Sequence, residues 1–424
     1  MKRNHAAALA SGGALNTRDR RILMVTCYGH FLSHFNMLAF PAIVLPLASR
    51  LEMSMAGVLG LSFWMYMLFG LTALPWGLVA DRWRASPLMI LFFSGSGVCG
   101  LISATAMDSP VGLSIALAGI GLFSGIYHPA GLGLISKEIQ RVSVAMGYNG
   151  MFGNLGLAMA PLLTGLINWL WGPRAAYVFL GIANLTGVVF LLAFPLEETE
   201  HVHTAEPGRN DGISKAFLVL LVAMMLGGVA YRGTTVVIPS YFELKNAGIH
   251  QWLVAWFGTA VSKNLMATAT TSFIFLIGML GQFTGGRVAD RFDPRFGYLA
   301  FHILTLPAVF LLATTTDIPM VLLAIVYFFF LLGMQPIENT LVAQLTPKAY
   351  HHSAFGTKFV LTFGVGAVAV KMVESIETAY GVEQVFPTMG MVSVAMVITI
   401  IVLISVTRRI PASKHQSPEQ GPPS

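Results

Sequence analysis

Residues 77–82 read Gly-Leu-Val-Ala-Asp-Arg, and residues 286–291 read Gly-Arg-Val-Ala-Asp-Arg. Each hexapeptide closes a long apolar run and opens a short charged break. The same punctuation at equivalent places in the two halves of a 424-residue chain indicates an internal duplication. The flanking composition says in what medium. Hydrophobic residues make up 55% of the chain and charged residues 10%. Soluble domains carry roughly 25% charge, so the apolar excess must face lipid.

A bilayer core of about 30 Å takes roughly 20 apolar residues per helix. Runs of that length recur along the chain, at 22–48, 55–79, 86–106, 110–135, 143–170, 175–195, 215–241, 265–289, 296–315, 319–342, 352–373 and 385–407. Open sheets have no partners for their edge groups in lipid, and a barrel would alternate in short segments. The expected fold class is therefore an all-α membrane protein with twelve transmembrane helices in two pseudo-symmetric six-helix bundles. The expected organisation is a cytoplasmic N-terminal segment 1–21, bundles 22–195 and 215–408, a cytoplasmic linker 196–214, and a disordered tail 409–424. The stretch 242–264, with Trp252 and Trp256, reads either as an interfacial helix or as an extension of its neighbours.

Lys and Arg accumulate in cytoplasmic loops. Placing the N-terminus inside puts eighteen of the 25 basic residues on that side. Arg50, Arg174, Lys245, Lys263 and Lys371 fall on the other side, and Arg232 and Lys358 lie within spans. Both termini are thus expected in the cytoplasm, in a plasma or bacterial inner membrane. Cys27 and Cys99 sit in apolar runs and suggest no disulfide framework. No cleavable signal with a short apolar core is read at the N-terminus. Metalloprotease, phosphate-cradling and nucleophile-elbow motifs are not found, so no enzyme activity, cofactor or nucleic acid is expected.

The Gly-x-x-x-Asp-Arg loops, with the span count and central linker, resemble the major facilitator superfamily over nearly the whole chain. The resemblance implies that Asp81 with Arg82, and Asp290 with Arg291, hold neighbouring helix ends together and gate the inward face. Gly77 and Gly286 would let those helices approach closely. Arg84 departs from the family, which often has Gly there. The fifth span, GYNGMFGNLGLAMAPLLTG, with its glycines and Pro161, looks like a degraded antiporter motif and leans toward export. Tyr127-His128-Pro129-Ala130-Gly131, together with that stretch and His30 and His34, is similar to the fosmidomycin-resistance-like branch, although the usual span-4 arginine is absent.

An ionisable group at mid-membrane costs about 2.5–3.5 kcal/mol on insertion scales and needs a partner, a cavity or a function. His30 and His34 share a helix face. His128, Arg232 and Glu338 stand in three further spans, and Tyr127, Asn154, Tyr231, Gln335 and Asn339 are their polar company. In the resembled family, spans 1, 4, 7 and 10 line a central cavity, and the five ionisable residues fall on those four. Only span 11, with Lys358, adds another mid-depth charge by this reading; Lys358 can also snorkel to the surface. Histidine titrates near pH 6.5. His34, His128 and Glu338, with His30 weaker, are the coupling candidates. Arg232, with Lys358, would attract an anionic or zwitterionic solute, and Arg232 and Glu338 could alternatively pair. The expected function is alternating-access transport of a small organic solute or drug, with protons as the second partner, by a monomer around a hydrated chamber. Transport of a divalent metal or its chelate, on three histidines and a carboxylate, is the competing reading. A non-transporting receptor is the reading from another class.

Overall fold

The computed structural model describes residues 16–196, 198, 215–257, 261–346 and 351–408. The residues before Asn16, most of the 196–214 linker and the 409–424 tail lie outside the described residues. Eleven apolar helical segments of membrane length are present among them. One, Val144–Ala193, is 50 residues long, and a single helix of that length would run about 75 Å. At Gly172 the backbone leaves the helix (φ 83°, ψ 171°). Only glycine takes that positive φ cheaply, and Pro173 suits the first turn of the next helix. The segment is therefore two spans, and the chain crosses twelve times.

The spans are α1 (Thr17–Leu51), α2 (Met55–Ala80), α3 (Ala85–Thr105), α4 (Pro110–Glu138), α5 (142–171) and α6 (173–193). The second half holds α7 (Lys215–Lys245), α8 (Lys263–Arg291), α9 (Pro294–Thr314), α10 (Asp317–Leu345), α11 (Gly356–Tyr380) and α12 (Val382–Val406). An even number of crossings puts Thr17 and Val406 at one face, here the terminal face; the other is the distal face. The first span starts earlier than its apolar run, because the Asn16 side chain caps the helix at Asp19 N and carries Arg18, Arg20 and Arg21 into its first turns. Between α7 and α8 a separate helix, Ala247–Phe257, has no buried residue. Trp252 and Trp256 are exposed on it, as an interfacial helix requires.

Within the first half α5 packs on α1, α3 on α6, and α2 on α4; within the second, α8 on α10, α7 on α12, and α9 on α10. The halves meet through α5 with α8, α2 with α11, and α1 with α7. Hydrogen bonds that cross between them, among the described residues, are Asn154 to Gln282, Leu162 N to Ser272 Oγ (2.8 Å), Asn168 to Asn264 (3.0 Å) and Asn264 to the Ala42 carbonyl (2.8 Å). All lie at mid-depth or toward the distal face, so the halves are zipped there. At the terminal face, Gly133, Gly147 and Gly150 would each carry a Cβ with nothing within 4 Å.

Each half also ties its own ends. Glu198, beyond α6, accepts hydrogen bonds from Ala85 N (2.7 Å) and Ser86 N (2.8 Å) at the start of α3. Arg295, at the start of α9, donates to the Thr407 carbonyl (2.7 Å) beyond α12. At the distal face Arg50 and Arg174 both pair with Asp108, and these two guanidinium groups hold its carboxyl below the usual range.

Candidate transport site

A histidine cluster sits at mid-depth in the first half. His30 and His34 are one turn apart on α1. Helix α4 is interrupted at Gly125–Ile126, and its second segment, Tyr127–Glu138, begins with the Tyr127-His128 pair. The His30 Nδ1 lies 2.9 Å from the Asn149 carbonyl. A carbonyl only accepts, so Nδ1 carries the hydrogen and Nε2 of the neutral ring is left as an acceptor. His34 Nε2 stands 3.2 Å from that His30 Nε2. Tyr127 stacks on His30 (centroids 5.0 Å apart). Its hydroxyl donates to the Thr26 carbonyl (2.7 Å) and accepts from Asn149 Nδ2 (2.8 Å). Tyr127 therefore positions His30.

His128 joins the halves. Its ring lies 5.3 Å from His30 and 5.5 Å from His34. On its other side it stacks nearly parallel on Phe359 of α11, at 5.0 Å. It is 6% exposed, and neither ring nitrogen has a hydrogen-bond partner among the described residues. Arg232, at the middle of α7, is 3% exposed. Its guanidinium lies over the Tyr66 ring of α2, 3.8 Å from the centroid, while its Nε is unpartnered. It is within electrostatic reach of His34. Tyr231 is its more distant aromatic neighbour, at 5.8 Å.

Glu338 belongs to a different cluster, nearer the terminal face. It accepts from the Tyr298 hydroxyl (2.7 Å) and pairs with Lys358 Nζ (3.1 Å). Lys358 also donates to Asn339 Oδ1 (2.7 Å). Two sequence expectations are corrected here. Arg232 and Glu338 do not pair, because Glu338 already has Lys358 and Tyr298. Nor does Lys358 snorkel: it is 6% exposed and turned inward to the carboxylate. Between the clusters, Asn154 of α5 donates to Gln282 of α8, which donates to Gln335 of α10 (3.1 Å).

Two hollows, of about 350 and 530 Å³, lie on the flanks. The larger runs along α1, α5 and α6, lined by Cys27, Tyr28 and Phe152 among others. Neither is lined by the charged or histidine residues above. Around those, aromatic rings pack closely: Phe69 touches both His128 and Phe363. Sequence reasoning missed Tyr66, Asn149, Gln282, Tyr298, Phe359 and His302. His302 corrects the reading that only α11 adds a mid-span ionisable group. It sits on α9, 1% exposed, against the Tyr298 ring, and was legible as a lone histidine in an apolar run.

The gating loops repeat in detail. A Cβ added at Gly77 would lie 3.6 Å from Pro129 Cβ, and one added at Gly286 would lie 3.9 Å from Pro336 Cβ. Trp83 N bonds the Val79 carbonyl and Phe292 N the Val288 carbonyl, both at 2.9 Å. Arg82, Asp290 and Arg291 are exposed and form no ion pair among the described residues; the Asp81 side chain lies outside them.

A model of the Major Facilitator Superfamily matches residues 26–370. The chain belongs to that superfamily. A curated relative, the MFS-type transporter YfnC of Bacillus subtilis (strain 168), is 23% identical over 385 residues, 87% of this chain and 88% of the relative. Among solved structures, a POT family transporter in complex with 5-aminolevulinic acid superposes with a TM-score of 0.71 at 14% identity, covering 91% of this chain and 96% of its own. A bacterial homologue of the human lysosomal transporter Spinster, inward-facing and unoccupied, gives 0.67 at 13% identity, covering 93% and 97%. These likenesses share the fold. The superfamily protein described here is a multi-pass membrane transporter and not an enzyme.

Proposed function

We propose that this transporter moves a small anionic or zwitterionic organic solute by proton-coupled alternating access, with export favoured. One observation carries the reading: Arg232, a buried cation with a free N–H and no carboxylate partner among the described residues, stands between the halves beside the histidine cluster. A buried cation without a counter-ion is costly, and an anionic cargo relieves that cost when it binds. Protonation of His30, His34 or His128 adds positive charge there, which couples proton and anion occupancy. The hydrogen bonds between the halves, among the described residues, lie at mid-depth or toward the distal face, which fits a state of the cycle closed on that side. The terminal face is then cytoplasmic, in a bacterial inner membrane, and the Asp81–Arg82 and Asp290–Arg291 loops latch it in the opposite state. The working unit is a monomer, and residues 196–214 join the halves as a cytoplasmic linker.

The test is proton flux in proteoliposomes across a panel of organic anions and zwitterions, with and without a pH gradient. Arg232→Ala is expected to abolish coupled flux while the protein still inserts and purifies as a monodisperse species. Unchanged flux in that variant rejects Arg232 as the cargo contact.

A further inference from the structure

We infer that His30, His34 and His128 form a binding site for a divalent transition-metal ion of the Zn²⁺ or Co²⁺ kind, carried as a complex whose anionic oxygen ligand meets Arg232. The inference deepens the transport reading above by naming a class of cargo, and rests on it for the route by which cargo enters.

The geometry is that of a metal site awaiting a small contraction. One nitrogen from each ring lies within 4.8 Å of the other two. Zn–N bonds of about 2.0–2.1 Å in a tetrahedron set ligand nitrogens roughly 3.3 Å apart, and His30 and His34 already stand at 3.2 Å. His30 carries the outer contact typical of a ligating imidazole: its Nδ1–H donates to the Asn149 carbonyl, which fixes the ring and directs the Nε2 lone pair inward. His34 holds one hydrogen on a neutral ring. Moving it from Nε2 to Nδ1 frees both Nε2 lone pairs, with no net gain or loss of protons.

His128 is the independent observation. A proton shared between two histidines needs only His30 and His34. The third ring is buried with two unpartnered nitrogens; His302 shares that feature, but His128 has two further imidazoles within ligand reach, and buried polar atoms of that kind require an explanation. Phe359 and Phe363, with centroids 5.7 Å from each other, both stack on the His128 ring from the α11 side, and its nitrogens lie at the ring edge. A metal ion bound there gives one of them a partner.

Arg232 decides what else the ion must bring. A bare dication beside a guanidinium is repelled. Three neutral imidazoles leave one tetrahedral position open, and a carboxylate oxygen in it neutralises charge and can accept from the free Arg232 Nε. The site thus selects a metal–carboxylate complex over either component alone.

The experiment titrates Co²⁺ into the purified full-length protein in detergent, with and without citrate, following visible absorption and thermal unfolding. Saturable binding of one ion per chain is expected, tightened by citrate. His34→Gln and His128→Phe should each weaken it by at least about tenfold; the Phe replacement keeps the stack on Phe359. Arg232→Gln should remove the citrate effect while Co²⁺ alone still binds. His302→Phe, a buried histidine outside the cluster, should bind as the parent does, which separates ligation from folding. Binding equally tight in the His34→Gln, His128→Phe double variant overturns the inference, as does no binding below millimolar Co²⁺. If organic-anion flux persists in proteoliposomes while Co²⁺ fails to bind, the metal site falls and the transport reading stands. If Co²⁺ binds as expected but neither cobalt citrate nor any organic anion moves, the site stands and the transport reading falls.

Discussion

The two halves share a scaffold and differ in chemistry. Gly77 against Pro129 and Gly286 against Pro336 are the same contact made twice, as are the turns at Trp83 and Phe292. The ionisable groups on that scaffold have diverged. The first half gathers three histidines with no buried ion pair beside them among the described residues, whereas the second closes Glu338 onto Lys358, Tyr298 and Asn339. Duplication preserved what holds helices together and left the interior free to change. The histidine cluster then offers open donor atoms, and the Glu338 cluster is internally satisfied.

The sharpest way to break this contrast is to unpair the second cluster. Glu338 and Lys358 are both almost fully buried. Removing one partner of such a pair typically costs about 3–5 kcal/mol, whereas replacing both can be nearly neutral. Lys358→Met should therefore lower the thermal midpoint in detergent strongly, and adding Glu338→Gln should restore most of it. In the first half, His128→Phe removes no existing hydrogen bond and, as a buried swap of similar shape, should cost less than about 1.5 kcal/mol. Equal losses in the two halves would refute the contrast.

A second comparison concerns packing. In the second half Gly285 lies where a Cβ would stand 1.8 Å from the Gly333 carbonyl oxygen, so α8 and α10 touch through backbone. Gly147 on α5 has open space. Gly285→Ala is expected to destabilise by about 1–3 kcal/mol through overpacking. Gly147→Ala should be neutral or stabilise by up to about 1 kcal/mol through helix propensity. Thermal unfolding of the two variants side by side reads the difference directly.

The spans were legible because burying an apolar run of about 20 residues is a one-dimensional property. The break at Gly172 was legible too, as the gap between two runs. The ionisable members of the site were readable because their burial is costly wherever they point. Their partners were not. Tyr66, Phe359 and Tyr298 are ordinary aromatic residues until helix rotation aims them inward, and rotation is set by packing between helices. The alternative of an Arg232–Glu338 pair fails on depth. Arg232 is 17 residues from Lys215 at the terminal face and Glu338 only 7 from Leu345, a difference of about 15 Å at 1.5 Å per residue. Opposite charge suggested a pair that the rise per residue already argued against.

The smallest expected effect lies where the halves solve one problem in two ways. The start of α9 is capped locally: Asp293 accepts from Arg295 N (2.9 Å) and from the Arg295 guanidinium. The equivalent position before α3 is Arg84, which gives no side-chain cap, and Glu198 reaches in from beyond α6 instead. Asp293→Ala should cost about 1 kcal/mol, the usual worth of an N-cap. The Arg295 side-chain hydrogen bond holds the Asp293 carboxyl below its ordinary range. A depressed folded pKa means that the contribution is fully present above the ordinary carboxylate value, near 3.9, and is lost as pH falls through the folded value. Thermal midpoints of parent and variant should therefore differ at pH 7 and converge once the pH has fallen below the depressed folded value. A gap that stays constant into acid would show that Asp293 acts by shape and not by charge. Glu198→Ala should cost a similar amount but also loosen α6 from α3, visible as faster hydrogen exchange at Ala85 and Ser86.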